Sequence, residues 1–146
     1  MGRRPTSFDA LLEYFERARR DPDTVLFAVV DNTDGRHVGN VKMEMYDTVS
    51  RVVDWGILIG EKERWGQGLA TEALALSVRF AFEKWNAHKV TLGLVEGHGF
   101  AFRAYESAGF VQEGRQRRQV FEDGRYVDAI LMGLLREEWA GRQPPA

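Results

Sequence analysis

The chain has 146 residues, 44% of them hydrophobic, and a formal net charge of −2. That size and apolar content fit one packed domain spanning 1–146, and the near-neutral charge argues against bulk nucleic-acid or membrane-surface binding. The absence of Cys excludes disulfides, thiolate nucleophiles and Cys-ligated metals, and the three His, at 37, 88 and 98, lack metal-ligand spacing, so no metal is expected.

In chain order, Thr6 precedes a helical pattern (Phe8, Leu11, Leu12, Phe15, Ala18) with Asp9 three residues on, which resembles a capping box. The helix is expected to end near Arg20, before Asp21-Pro22-Asp23. Strands follow at residues 25–31, 37–46 and 51–59, the first two joined by the turn Asn32-Thr33-Asp34-Gly35. Leu69, Ala73, Leu76 and Phe80 recur at spacings of four, three and four and predict a second helix reaching about Trp85. A strand at 89–95 completes a strand–helix–strand unit, which requires a parallel pair. Gly97-His98-Gly99 opens a short third helix that Gly109 ends. Strands at 110–121 and 126–135 flank the turn Glu122-Asp123-Gly124-Arg125, which shares its chemistry with the turn at 34–38. Residues 1–5 and 136–146 read as frayed ends. The fold class is therefore α/β with a mixed, mostly antiparallel sheet. No apolar run approaches the ~18 residues a membrane span needs, and the start Met-Gly-Arg-Arg-Pro lacks a leader's apolar region, so a cytoplasmic location is expected.

The stretch 52–80 has the most chemical content. An apolar strand runs into a glycine-bearing loop, Trp65-Gly66-Gln67-Gly68, that opens a helix. Such a junction directs unpaired N–H groups and a positive dipole end outward, which suits a phosphate. Gly66-x-Gly68 with Glu96 after the next strand also allows a dinucleotide-binding reading, but Thr71 replaces the third glycine.

This order of elements, with Trp65-Gly66-Gln67-Gly68-Leu69-Ala70-Thr71-Glu72-Ala73 and then His98-Gly99-Phe100-Ala101-Phe102-Arg103-Ala104-Tyr105-Glu106-Ser107-Ala108-Gly109-Phe110, resembles the GNAT family of N-acetyltransferases. The nearer likeness is to its ribosomal-protein-alanine and sugar-amine acetyltransferase branch, over residues 24–139. Trp65 departs from the family's Gln or Arg, His98 from its Asn and Ser107 from its Lys. Family members usually open with a further strand and helix that this chain appears without, so the strand at 25–31 is expected to be an exposed edge that invites pairing with a second copy.

The resemblance implies acetyl transfer from acetyl-CoA to a primary amine of a small molecule, a nucleotide-sugar or a protein N-terminus, by direct attack in a ternary complex. A non-catalytic acyl-CoA-binding module of the same fold is the alternative. The cofactor's pyrophosphate is expected on Trp65, Gly66, Gln67, Gly68, Leu69, Ala70 and Thr71, and its pantetheine arm along Leu58, Ile59 and Gly60, with the Leu58 N–H as oxyanion donor. Tyr105 carries over as general acid toward the leaving thiolate, and His98 as a cofactor contact. Asp54 is the candidate base: alternation puts it on one strand face with Val52, Gly56 and Leu58, an apolar setting that raises a carboxyl pKa. Glu44 and Asp128 are alternates. Lys62, Arg64 and the cluster Arg115, Arg117 and Arg118 are either phosphate-facing or solvated.

Overall fold

The computed structural model describes residues 7–59 and 68–143, with all their side chains except those of Leu11 and Ile59. The elements run α1 (Phe8–Arg20), β1 (Thr24–Asp31), β2 (Arg36–Asp47), β3 (Val52–Ile59), α2 (Leu69–Glu83), β4 (Lys89–Val95), α3 (Gly99–Ser107), β5 (Val111–Glu122), β6 (Arg125–Leu135) and α4 (Arg136–Arg142). The six strands form one sheet in the order β1-β2-β3-β4-β6-β5. Every neighbouring pair is antiparallel except β3–β4, where α2 provides the crossover that a parallel pair needs.

Local chemistry accounts for the boundaries. The N-cap of α1 is Ser7, whose Oγ accepts the Ala10 N–H at 3.1 Å. The expected cap, Thr6, lies outside the described residues. Asp21 ends the helix and turns the chain, its carboxylate accepting from the Asp23 N–H (2.9 Å) and the Thr24 hydroxyl (3.0 Å). The two turns that look alike in sequence differ in structure. Four residues, 32–35, join β1 to β2, whereas β5 meets β6 through Asp123 and Gly124 alone, both at positive φ (51° and 79°), the conformation that suits a tight hairpin. At the end of α3, Gly109 at φ 105° donates to the Glu106 carbonyl and the Phe110 N–H reaches back to Tyr105 O, a left-handed helix stop that a Cβ would oppose.

One sheet face carries the core. Val41, Met43 and Met45 of β2, Val53 and Trp55 of β3, Val90 and Leu92 of β4, and Ile130, Met132 and Leu134 of β6 alternate onto it. They meet Leu74, Val78, Ala81 and Phe82 of α2, while Phe102 and Tyr105 of α3 pack alongside. α1 packs on β1, and the Lys42 ammonium sits 4.9 Å over the Tyr14 ring. Lys42 alternates with Val41 and Met43, so α1 covers part of the opposite face.

The segment expected to be a frayed tail is instead helix α4 as far as Arg142. Its start is fixed by the Leu135 N–H donating to Glu138 Oε1 at 2.9 Å. It is pinned by Trp139, which stacks on fully buried Phe82 at 5.1 Å between centroids and 29° between planes, and by Arg136 donating to the Ala87 carbonyl at 2.8 Å. The polar sequence 136–143 hides this role because one Trp carries the packing. Trp139→Ala is expected to cost about 2–3 kcal/mol, read as a lower urea midpoint at unchanged slope. Among the described residues no helix is long and apolar enough to cross a membrane.

Candidate active site

The sheet opens at its one parallel junction. β3 and β4 pair over only three positions, ending at Asp54↔Thr91. Beyond that point β3 continues to Ile59 on the support of β2, and β4 to Val95 on the support of β6. Between the diverging halves, every second residue turns its N–H and C=O toward a partner strand that is not there. The result is a wedge with one apex and two polar backbone walls, suited to an extended ligand that carries amides. Leu58 and Ile59, expected along the pantetheine arm, form the β3 wall.

The junction from β3 into α2 falls at 60–67, outside the described residues. The expected sites at Gly60, Trp65, Gly66 and Gln67, with Lys62 and Arg64, therefore lie outside them too. Gly68 is described. It is the N-cap of α2 in the left-handed region (φ 77°, ψ 3°), and it offers no side-chain cap to the helix. A Cβ would oppose this conformation. Among the described residues, the N–H groups of the first turn, which includes Leu69, Ala70 and Thr71, thus receive no cap from their N-cap residue where the dipole is positive. Leu69 packs partly into the core and anchors this end, while Thr71 faces solvent.

Two side chains approach the apex from opposite faces. On the core face, Tyr105 of α3 meets Trp55 edge-on, with centroids 5.7 Å apart and planes at 78°. Trp55 is itself fixed: its indole N–H donates to Ser77 Oγ at 2.7 Å, and that hydroxyl donates to the Ala73 carbonyl at 2.6 Å. Burial pushes the Tyr105 phenol above its ordinary pKa. The Trp55–Ser77 support escapes a reading by periodicity. Its one sequence signal is a Ser in the buried stripe of α2, since a buried hydroxyl requires a partner.

On the other face stands Asp54, at the last paired position before the strands part. It does share a face with Gly56 and Leu58, but that face is the solvent-exposed one; the apolar burial belongs to Val53 and Trp55. The expected apolar setting is corrected accordingly. The direction of the pKa shift is nonetheless upward. Burial of the carboxyl against the sheet is the main cause, and negative Glu44 adds to it, opposed by a hydrogen bond from Thr91 Oγ1 (3.4 Å) and by Lys42. Glu44 is the direct cross-strand partner of Asp54 and lies 3.8 Å from the Lys42 ammonium. The result is two carboxylates abreast on one sheet face, with Asp54 at the apex of the wedge.

Other candidates are engaged elsewhere. Asp128, an alternate base, accepts from Arg115 (2.8 Å) and from the Arg118 N–H (2.8 Å), which hold its carboxyl below the usual range and make it a poor base. Arg115 also reaches Glu96 at 3.0 Å, so neither is presented to a phosphate or a ribose. His98 begins α3, but its ring meets Glu122 at 3.3 Å. Among the described residues no group of three or more His, Cys, Asp or Glu could hold a metal ion.

The comparisons with known proteins agree with this geometry. The family model described as an acetyltransferase (GNAT) domain matches residues 1–111. The chain belongs to the GNAT family and is an N-acetyltransferase. It is 29% identical over 136 residues to the spermidine N(1)-acetyltransferase of Vibrio cholerae, covering 93% of this chain and 78% of that protein. It is 29% identical over 110 residues to the putative ribosomal N-acetyltransferase YdaF of Bacillus subtilis, covering 75% of this chain and 60% of that one. Among solved structures, the Vibrio cholerae spermidine N-acetyltransferase in complex with CoA and spermine matches with a TM-score of 0.84 at 28% identity, over 93% of this chain and 79% of that chain.

Proposed function

We propose that this acetyltransferase takes a small polycationic amine of the spermidine type as its acceptor. The observation that carries the reading is the cross-strand pair Asp54 and Glu44 on one sheet face beside the apex of the wedge. Two adjacent carboxylates on an open sheet face attract a chain with several ammonium groups. An aminoalkyl group has an ordinary pKa of about 10.4 and is protonated at neutral pH, so it must lose a proton before it can attack. Relatives named for spermidine acetylation support the same acceptor class.

In this reading the two faces of the wedge divide the chemistry. Bound acetyl-CoA supplies the thioester carbon that the amine attacks. The first turn of α2 and the glycine loop before it bind the pyrophosphate through backbone N–H groups. The β3 wall at Leu58 and Ile59, with Gly60 next in sequence, holds the pantetheine amides, and the Leu58 N–H steadies the oxyanion. Asp54 takes the amine's proton through a water molecule, its raised pKa making it a better base than an ordinary carboxylate. As the new C–N bond forms and the C–S bond breaks, Tyr105 gives its proton to the leaving sulfur. Glu44 holds a second ammonium of the acceptor.

Release of free thiol from acetyl-CoA, measured with spermidine, a nucleotide-sugar amine and peptides bearing a free N-terminus, tests the acceptor. The expected result is the highest kcat/KM with spermidine. Glu44→Gln is expected to raise the spermidine KM about tenfold, the equivalent of ~1.4 kcal/mol, with kcat nearly unchanged. A preference for the peptides or the sugar amine, or an unchanged KM in Glu44→Gln, overturns the proposed acceptor.

A further inference from the structure

α3 is lightly built. It has nine residues, none of them fully buried, and its N-cap, His98, makes no side-chain cap. Of its apolar side chains, Phe102 and Tyr105 are the ones packed against the core. A helix this short is held by tertiary packing rather than by its own stability. The place of Tyr105 is therefore decided by what its ring rests on. That is Trp55, edge-on at 5.7 Å and 78°, and Phe110 at 6.3 Å and 61°.

Trp55 is the first residue of β3 past the last β3–β4 pair, Asp54↔Thr91, and it is 3% exposed. A buried indole N–H needs an acceptor, and α2 supplies one in Ser77 Oγ at 2.7 Å. Ser77 is 5% exposed, one of two buried polar or charged residues among the described ones. Its single proton goes to the Ala73 carbonyl at 2.6 Å, with the Leu74 carbonyl at 3.3 Å, which leaves a hydroxyl lone pair for the indole. Packing alone would let the indole slide or tilt in its slot, whereas a directional bond at one corner fixes it. Three side chains thus connect the interior of α2 to the apex of the wedge.

We propose that Ser77 is a positioning residue for acetyl transfer: it holds the plane of Trp55, and Trp55 in turn sets where Tyr105 presents its hydroxyl at the apex. The proposal rests on the reading of Tyr105 as the acid toward the leaving sulfur. Ser77 itself needs no contact with the reacting atoms. It acts on geometry, where a displacement of about 1 Å can cost on the order of 100-fold in rate. Ala at this position keeps the helix but leaves the indole N–H buried without its acceptor. The indole then moves to find another, and the phenol ring that leans on it moves too. A hydroxyl that served only to satisfy the indole would behave differently: its loss would lower stability and leave turnover intact.

A double-mutant cycle of Ser77→Ala with Tyr105→Phe tests it, read in the full chain by steady-state kinetics with the best acceptor of the panel above and by calorimetric titration of coenzyme A. Ser77→Ala is expected to lower kcat about tenfold and to change coenzyme A affinity and the acceptor KM by less than about twofold. In the Tyr105→Phe background the same substitution should change kcat by less than about twofold, because the group it positions is already gone. Circular dichroism confirms that each variant is folded at the assay temperature. Where the alanine variant is not, Ser77→Cys carries the cycle, since its thiol fills the same place as a weak acceptor, with a loss of about threefold expected. A lowered kcat in Tyr105→Phe with full turnover in the Ser77 variant overturns this proposal alone. So does an equal fall in both backgrounds, which marks a structural loss independent of Tyr105. An unchanged kcat in Tyr105→Phe overturns the acid role and this proposal with it.

Discussion

Tyr105→Phe is expected to lower kcat by about 100-fold and to leave coenzyme A affinity unchanged. The substitution removes one oxygen and keeps the ring. The edge-on contact with Trp55 at 5.7 Å and the contact with Phe110 at 6.3 Å both survive, so the apex of the wedge keeps its shape. What is lost is a proton donor. Burial holds the phenol above its ordinary pKa of 10.0, so it stays protonated throughout the neutral range. A group that acts in its protonated form loses activity as pH rises through its own pKa, which puts the basic limb of the wild-type rate profile above the ordinary tyrosine range. In the variant that limb should disappear. In the proposed role the proton moves only as the C–S bond breaks, so kcat and kcat/KM should fall by the same factor. Steady-state kinetics, paired with calorimetric titration of coenzyme A, separates this from a binding defect. An unchanged kcat removes Tyr105 from the role of acid, and a kcat loss matched by weakened coenzyme A binding reassigns it to positioning.

The sequence carries the framework of this site more fully than its contacts. Strand alternation and the spacing of Leu69, Ala73, Leu76 and Phe80 locate β3 and α2 because burial on one face imposes a period. Gly109 and the pair Asp123-Gly124 mark their stops because left-handed backbone restricts side chains. Relations across the sheet are another matter. Alternation says that Asp54 and Trp55 face opposite ways, but which of them faces the core depends on where α2 and α3 lie. The apolar neighbours of Asp54 in sequence suggested the wrong side. The pairing of Glu44 with Asp54 is set by the register of two strands joined by a four-residue turn, a quantity that no single-strand pattern contains. α4 is invisible to sequence periodicity for a similar reason. Seven mostly polar residues have no helical stripe, and the helix depends on the reach of Trp139 to Phe82, which is distant in sequence. The cap at Ser7 lies one residue from the expected Thr6, a shift decided by local backbone geometry.

Asp54→Asn is expected to do two opposite things: slow acetyl transfer by about 100-fold and raise the melting temperature at neutral pH. Both follow from one raised pKa. Burial against the sheet, with Glu44 alongside, lifts the Asp54 carboxyl above its ordinary 3.8, and the Thr91 hydroxyl offsets this only in part. As pH climbs from the unfolded value to the folded one, the unfolded chain has released a proton that the folded protein still holds. Folding stability therefore falls across that window, and the deficit persists at higher pH. Asn cannot ionise, so the variant avoids the cost, and its stability curve should meet that of the wild type only in acid, where Asp54 is neutral in both states. The same carboxyl is the proposed base, and its ionised form does the work. Wild-type kcat/KM should rise with pH through the raised pKa, and the variant should lack that limb. Melting curves and rate profiles over one pH series measure both effects. Full turnover in Asp54→Asn moves the base elsewhere, with Glu44 the nearest carboxylate in register. A melting temperature that falls at neutral pH removes the electrostatic cost from which both expectations derive. If both hold, the apex of the wedge gives up stability for a usable base, and the partial burial of the Asp54 carboxyl with Glu44 across the β2–β3 ladder is the structural reason.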